Sequence, residues 1–159
     1  MPVGHMVLDL HGEAPSTYAF SDPLCSALQV VNHLQDCGKD YAALDRVYLP
    51  LDVIDAHGAR VEELGGAQSS PALLACIHSL AEKTNSLMPE ASKLPLAVKD
   101  TRLGLETGAI VALAQRLLVM LKIRDPLSER VHLSKGAALL EGLRGAGRTF
   151  SARWTRKGE

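Results

Sequence analysis

Along one stretch of this 159-residue chain, Gln29, Asn32, Asp36 and Asp40 recur at helical spacing. At about 100° per residue, each step of four drifts by about 40°, so the last three share an arc of about 80° over about 12 Å. Leu24, Ala27, Leu28, Val30, Val31 and Leu34 fall on the opposite side. The segment is therefore read as a helix with one face in a core and a stripe of amide and carboxylate oxygens on the other. A period of two would mix the two sets on both faces.

The remainder of the chain follows the same preference. It is 47% hydrophobic but only 4% aromatic, and its apolar residues are mostly Leu, Ala and Val. Good helix formers abound while aromatic strand formers are scarce. The expectation is an all-α single domain over 1–159, large enough to bury a core without staples. The apolar segment 2–12 has no capping run ahead of it and reads as the end of a truncated helix stopped at Gly12. Ser21-Asp22-Pro23 opens the metal-motif helix, 21–41. After a break at Asp45–Pro50, short turns at 51–57 and 61–64 close on glycines. Long helices are expected over 70–91, 98–123 and 134–150, the last fraying at glycines 142, 145 and 147, with a basic tail over 151–159. The most apolar run, Gly108–Leu121, spans about 14 residues against the roughly 20 needed to cross a bilayer, so it reads as a core helix.

Two carboxylates at i,i+4 repel each other by a few tenths of a kcal/mol on an exposed helix, about that or more when buried. A divalent cation reverses that sign. Hard oxygen donors suit magnesium, which takes one or two carboxylates and completes its shell with water and phosphate. A solvated acidic face is the plain alternative. The formal net charge of −1 gives no reason to expect nucleic acid. Cys25, Cys37 and Cys76 lack metal spacing and are read as reduced, buried thiols; with no signal-peptide pattern, a cytoplasmic location is expected. His33 and Cys37 are also four apart, but two ligands make no closed zinc site. Ser70 and Ser134 read as helix caps. Arg144, Arg148, Arg153, Arg156 and Lys157 read either as a solvated terminus or as a contact for anionic lipid heads.

The run Ala27-Leu28-Gln29-Val30-Val31-Asn32, then Gln35-Asp36, Asp40 and Asp45-Arg46-Val47-Tyr48-Leu49-Pro50, resembles the second aspartate-rich region of the squalene/phytoene synthase family. Pro2-Val3-Gly4 with its apolar run looks most like the hydroxysqualene-forming branch. Ser128-Glu129-Arg130-Val131-His132-Leu133-Ser134-Lys135 is similar, more loosely, to the family's C-terminal basic segment. The resemblance covers the chain as a C-terminal half, strongly over 2–58.

That resemblance implies a terpenoid synthase-like helical bundle around an apolar cavity, with two aspartate-rich helices holding magnesium against a diphosphate. It implies Asn32, Asp36 and Asp40 as metal ligands, with Asp36 and Asp40 catalytic, and Gln29, Arg46 and Tyr48 as substrate-binding residues. The implied reaction is ionisation of presqualene diphosphate and capture of water, giving hydroxysqualene for triterpene or hopanoid synthesis. Coupling of prenyl diphosphates, as in phytoene, squalene or dehydrosqualene formation, is the alternative. The first aspartate-rich motif has no match before Asn32, so this chain alone is expected to be inactive. Gln35 stands where relatives often have arginine. A non-catalytic helical module that pairs with a partner or with itself through exposed apolar surface is a further reading.

Overall fold

A computed structural model describes residues 2–156, which form helices and connecting turns with no strand among the described residues. The elements are α1 (Pro2–Leu10), a 3₁₀ turn (Pro15–Thr17), α2 (Tyr18–Leu44), α3 (Leu51–Ala56), a 3₁₀ turn (Val61–Gly65), α4 (Pro71–Asn85), α5 (Met88–Ala91), α6 (Leu94–Ala97), α7 (Thr101–Leu121) and α8 (Lys135–Arg156).

Helix ends follow local chemistry. At the end of α1, Gly12 adopts φ +65°. Its N–H donates to the Asp9 carbonyl at 3.0 Å and that of Glu13 to the Leu8 carbonyl at 3.0 Å, a left-handed cap natural to glycine. The expected 70–91 helix is two helices. A proline ring clashes with the carbonyl four residues earlier, and α4 and α5 stop at Asn85 and Ala91, four residues before Pro89 and Pro95. Helix α2 is longer than the expected 21–41, because the 3₁₀ turn at Pro15–Thr17 supplies a first turn ahead of it. Pro23 consequently lies inside the helix.

The described residues divide into two compact units. The first takes the chain up to Leu28, Ser86–Arg116, and the part from Leu133 onward. Its core includes Leu8, Leu24, Ala27, Leu94, Leu103 and Ala114. The buried Glu13 carboxylate accepts the backbone N–H groups of Lys99 at 2.7 Å and Asp100 at 2.8 Å. Asp100 in turn caps α7 by accepting the Leu103 N–H at 2.6 Å, which is why that helix begins at Thr101 rather than at 98.

Helix α8 does not fray at its glycines or stop at 150; it continues to Arg156, and the rest of the expected tail lies outside the described residues. Gly145 explains the continuity, because a Cβ there would overlap the Gly108 carbonyl and the Ala112 side chain. It is a close-packing position rather than a weak one. Further along, Arg153 donates to the carbonyls of Pro95, Val98 and Lys99 at 2.8, 2.9 and 2.7 Å.

The second unit comprises Gln29–Asn85 and Leu117–His132. Val31, Leu34, Leu64, Leu73, Ile77 and Leu118 build its interior. Ser70 caps α4 as its sequence position implied, accepting the Leu73 N–H at 3.1 Å. Helix α7, at 21 residues, is longer than the apolar run suggested and is apolar enough by length and composition to cross a bilayer. Half of that stretch is buried within the chain.

Candidate functional site

The register of α2 is fixed by its apolar face: Leu24, Ala27, Val31, Leu34 and Cys37 are all buried. The polar side follows from this. Gln29 and Asn32 are exposed, while Asp36 and Asp40 are half-buried. The expected apolar cavity is not what borders the stripe. Asp36 lines a polar groove of about 620 Å³ with Gln35, Lys39, Leu127, Ser128, Arg130 and His132 among its walls.

Two anchors hold the far wall. Asp125 accepts the Ser69 N–H at 2.8 Å, the Ser69 hydroxyl at 2.7 Å and the Leu127 N–H at 3.0 Å. Its carboxyl is pushed up by burial, but hydrogen bonds from Ser69, Leu127 and Ser128 outweigh that and hold it below the usual value. At the other end Gln35 donates its amide N–H to the Val131 carbonyl at 2.5 Å. Gln35 is thus used to tie α2 to the groove wall.

Arg46 and Tyr48 reach α2 through its C-terminus. Asp45 adopts φ 52°, the left-handed conformation that Asp tolerates better than most residues. The Asp45 N–H donates to Tyr41 at 3.1 Å, and the Arg46 N–H turns back to the Asp40 carbonyl at 3.3 Å. A hydrogen bond to Tyr48 raises the Arg46 guanidinium above its ordinary value, with a smaller contribution from Asp40. The Tyr48 ring stacks on His33, with centroids 4.1 Å apart and planes within 5°. Asp40, Arg46 and Tyr48 therefore form one group and Asp36 belongs to the groove, with Gln29 and Asn32 standing in solvent on the same helix.

Asn32, Asp36 and Asp40 present hard oxygen donors. No group of three or more His, Cys, Asp or Glu side chains among the described residues is arranged to hold a metal by itself. Magnesium does not need such a cage, since water and phosphate commonly fill most of its shell. Asp36 lies 4.0 Å from the Lys39 ammonium, so its carboxylate already attracts a cation. The donor set fits magnesium as part of a shell. Zinc fits less well: Cys37 is buried and its thiol is pushed up to about 12 by desolvation, and the His33 ring is engaged with Tyr48.

A family model described as squalene/phytoene synthase matches residues 1–137. The chain is 59% identical over 133 residues to a hydroxysqualene synthase of Rhodopseudomonas palustris, covering 84% of this chain and 46% of that protein. A hydroxysqualene synthase of Sinorhizobium fredii is 52% identical over 143 residues, 90% of this chain and 49% of the relative. A phytoene synthase of Thermus thermophilus is 34% identical over 134 residues, 82% and 45% of the two chains. The chain thus spans about half the length of the curated relatives it matches. No solved structure matches it significantly.

Proposed function

Since the chain belongs to the squalene/phytoene synthase family, we propose that it contributes one acidic helix of a magnesium–diphosphate site used to make hydroxysqualene. The observation that carries this reading is the place of Asp36, which sits both on the oxygen stripe of α2 and in the groove that gathers Lys39, Arg130 and His132. Asp36, a carboxylate suited to a hard cation, and side chains suited to phosphate oxygens line that groove, together with the acidic Glu129. Asp36, Asp40 and Asn32 would hold magnesium, which when bound supplies positive charge to a departing diphosphate.

The chain's own residues set the rest. Lys39 and Arg130 would bind phosphate oxygens of the diphosphate. Arg46, held by Tyr48 and beside Asp40, keeps that acid oriented, and Gln29 offers an amide to the diphosphate. The carbon–oxygen bond of presqualene diphosphate breaks with its electron pair on the diphosphate. Water then adds its oxygen to the resulting carbocation and releases a proton to solvent. The higher identity to hydroxysqualene synthases than to the phytoene synthase favours water capture over coupling of two prenyl diphosphates. The product would feed triterpene or hopanoid synthesis, with the protein working in the cytoplasm. With one carboxylate-bearing helix, these 159 residues alone would turn over little or no substrate.

Calorimetry with inorganic diphosphate, with and without magnesium, tests the site. Magnesium-dependent binding at least tenfold weaker in Asp36→Asn is the expected result; binding indifferent to both magnesium and the substitution overturns it. An assay with presqualene diphosphate and with prenyl diphosphates tests the rest: clear hydroxysqualene from this chain would refute the inactivity, and a coupled product the water capture.

A second reading, a non-catalytic helical module, is favoured by α1, where Val3, Met6 and Leu10 are each more than half exposed. Such a face favours association with a partner or a second copy. A monodisperse dimer by light scattering, with no magnesium-dependent diphosphate binding, would select this reading.

A further inference from the structure

We propose that the outer face of α8 is a docking surface for an anionic lipid bilayer. The proposal does not rest on the diphosphate chemistry above.

Three observations converge. The first is what fixes the helix. Gly145 is pressed against Gly108, and Arg153 is bound to three carbonyls at the end of α6 and just beyond it. These contacts set the rotation of α8 and leave its opposite side outward.

The second is what that outward side carries. Leu139, Leu140, Leu143, Phe150 and Trp154 are between 50% and 72% exposed. At about 100° per residue they fall within a single arc of about 100°, along about 22 Å of helix. Phe150 and Trp154 lie together with ring centroids 6.2 Å apart. Phe and Trp at the tip of an exposed apolar band suit the boundary between head groups and acyl chains.

The third is charge. The chain as a whole has 17 Lys and Arg against 18 Asp and Glu, yet α8 holds five basic residues and one acidic. At helical spacing Arg144, which also donates to Glu141 at 2.9 Å, follows the apolar band on one edge and Lys135 borders it on the other, while Arg148 lies further round, beside the pocket lined by Gly108 and Gly145. The α1 face offers the contrast: it is equally apolar but has no lysine or arginine, so nothing there selects an anionic surface. Basic flanks around an aromatic band select a negatively charged membrane over an uncharged protein face.

Trp154 is the chain's only tryptophan, so its fluorescence reports on this face alone. The test titrates the full chain with phosphatidylglycerol vesicles and, separately, with phosphatidylcholine vesicles. The expected result is a blue shift of Trp154 and co-sedimentation with phosphatidylglycerol, at least tenfold weaker with phosphatidylcholine, in high salt, or in Lys135→Gln/Arg144→Gln. Leu143→Ser and Phe150→Ser, at exposed positions that leave the fold intact by circular dichroism, should abolish both signals. Absence of shift and sedimentation with phosphatidylglycerol overturns the proposal. So does a shift that depends on protein concentration alone and tracks a dimer by light scattering, which would mean that a second copy covers the face.

Discussion

Asp125 binds Ser69 through both of its carboxylate oxygens, one to the backbone N–H and the other to the hydroxyl, at 2.8 and 2.7 Å. The pair joins residues 56 positions apart and sets the start of the groove wall. Asp125→Ala should lower stability by about 1–3 kcal/mol, because the Ser69 and Leu127 donors lose their acceptor. Thermal unfolding followed by circular dichroism would measure the loss.

The same carboxylate makes a pH prediction. Its folded value lies below the ordinary one, so its stabilisation is complete above the unfolded value of about 3.9 and is lost as pH falls through the lower folded value. Below about pH 4, Asp125→Asn should show a shallower loss of stability with acid than the unaltered protein. Urea unfolding at a series of pH values would reveal parallel slopes if this is wrong.

Two glycines in α8 should respond in opposite directions. Gly145→Ala places a methyl against the Gly108 carbonyl and Ala112, neither a flexible side-chain tip, so overpacking of about 1–3 kcal/mol outweighs the gain in helix propensity. Gly147 has nothing within 4 Å of an added Cβ, and Gly147→Ala should stabilise by about 0.5–1 kcal/mol. Melting temperatures of the two variants would move apart.

Asp45, with φ 52°, sets the turn that returns Arg46 and Tyr48 to α2. Asp45→Gly should be tolerated, whereas Asp45→Val should cost about 1–2 kcal/mol or force the turn open. In the second case diphosphate binding should weaken along with stability.

Thiol reactivity should separate the cysteines. Cys37 and Cys76 are buried and Cys25 is half-buried, which revises the expectation of three buried thiols. With its thiol near 12, Cys37 is about one part in 10⁴ thiolate at pH 8. In the native protein an aromatic disulfide reagent at pH 8 should label Cys25 at most, and all three only after unfolding.

The all-helical fold and the register of α2 were legible because the alternation of Leu24, Ala27, Val31 and Leu34 with Asn32, Asp36 and Asp40 repeats one local rule over four turns. Helix limits were harder to read. Ser21-Asp22-Pro23 has the chemistry of a helix start, yet the 3₁₀ turn before Tyr18 had already begun the helix. Pro89 and Pro95 each act on a carbonyl four residues upstream, which moves the breaks away from the prolines themselves. The groove was not legible at all. Gln35 and Val131 are separated by 96 positions, and no local pattern announces a side-chain-to-backbone bond over that distance. The packing role of Gln35 has no signature in the sequence.

Residues 126–130 lie between two fastenings, Asp125 on Ser69 and Gln35 on Val131. A segment tied at both ends can exchange the side chains between its ties while its backbone keeps its course. Glu129 and Arg130 are exposed and can therefore be altered singly with little penalty to folding. Evolution, or an engineer, is free to vary the charge that lines the groove without rebuilding the helices that support it.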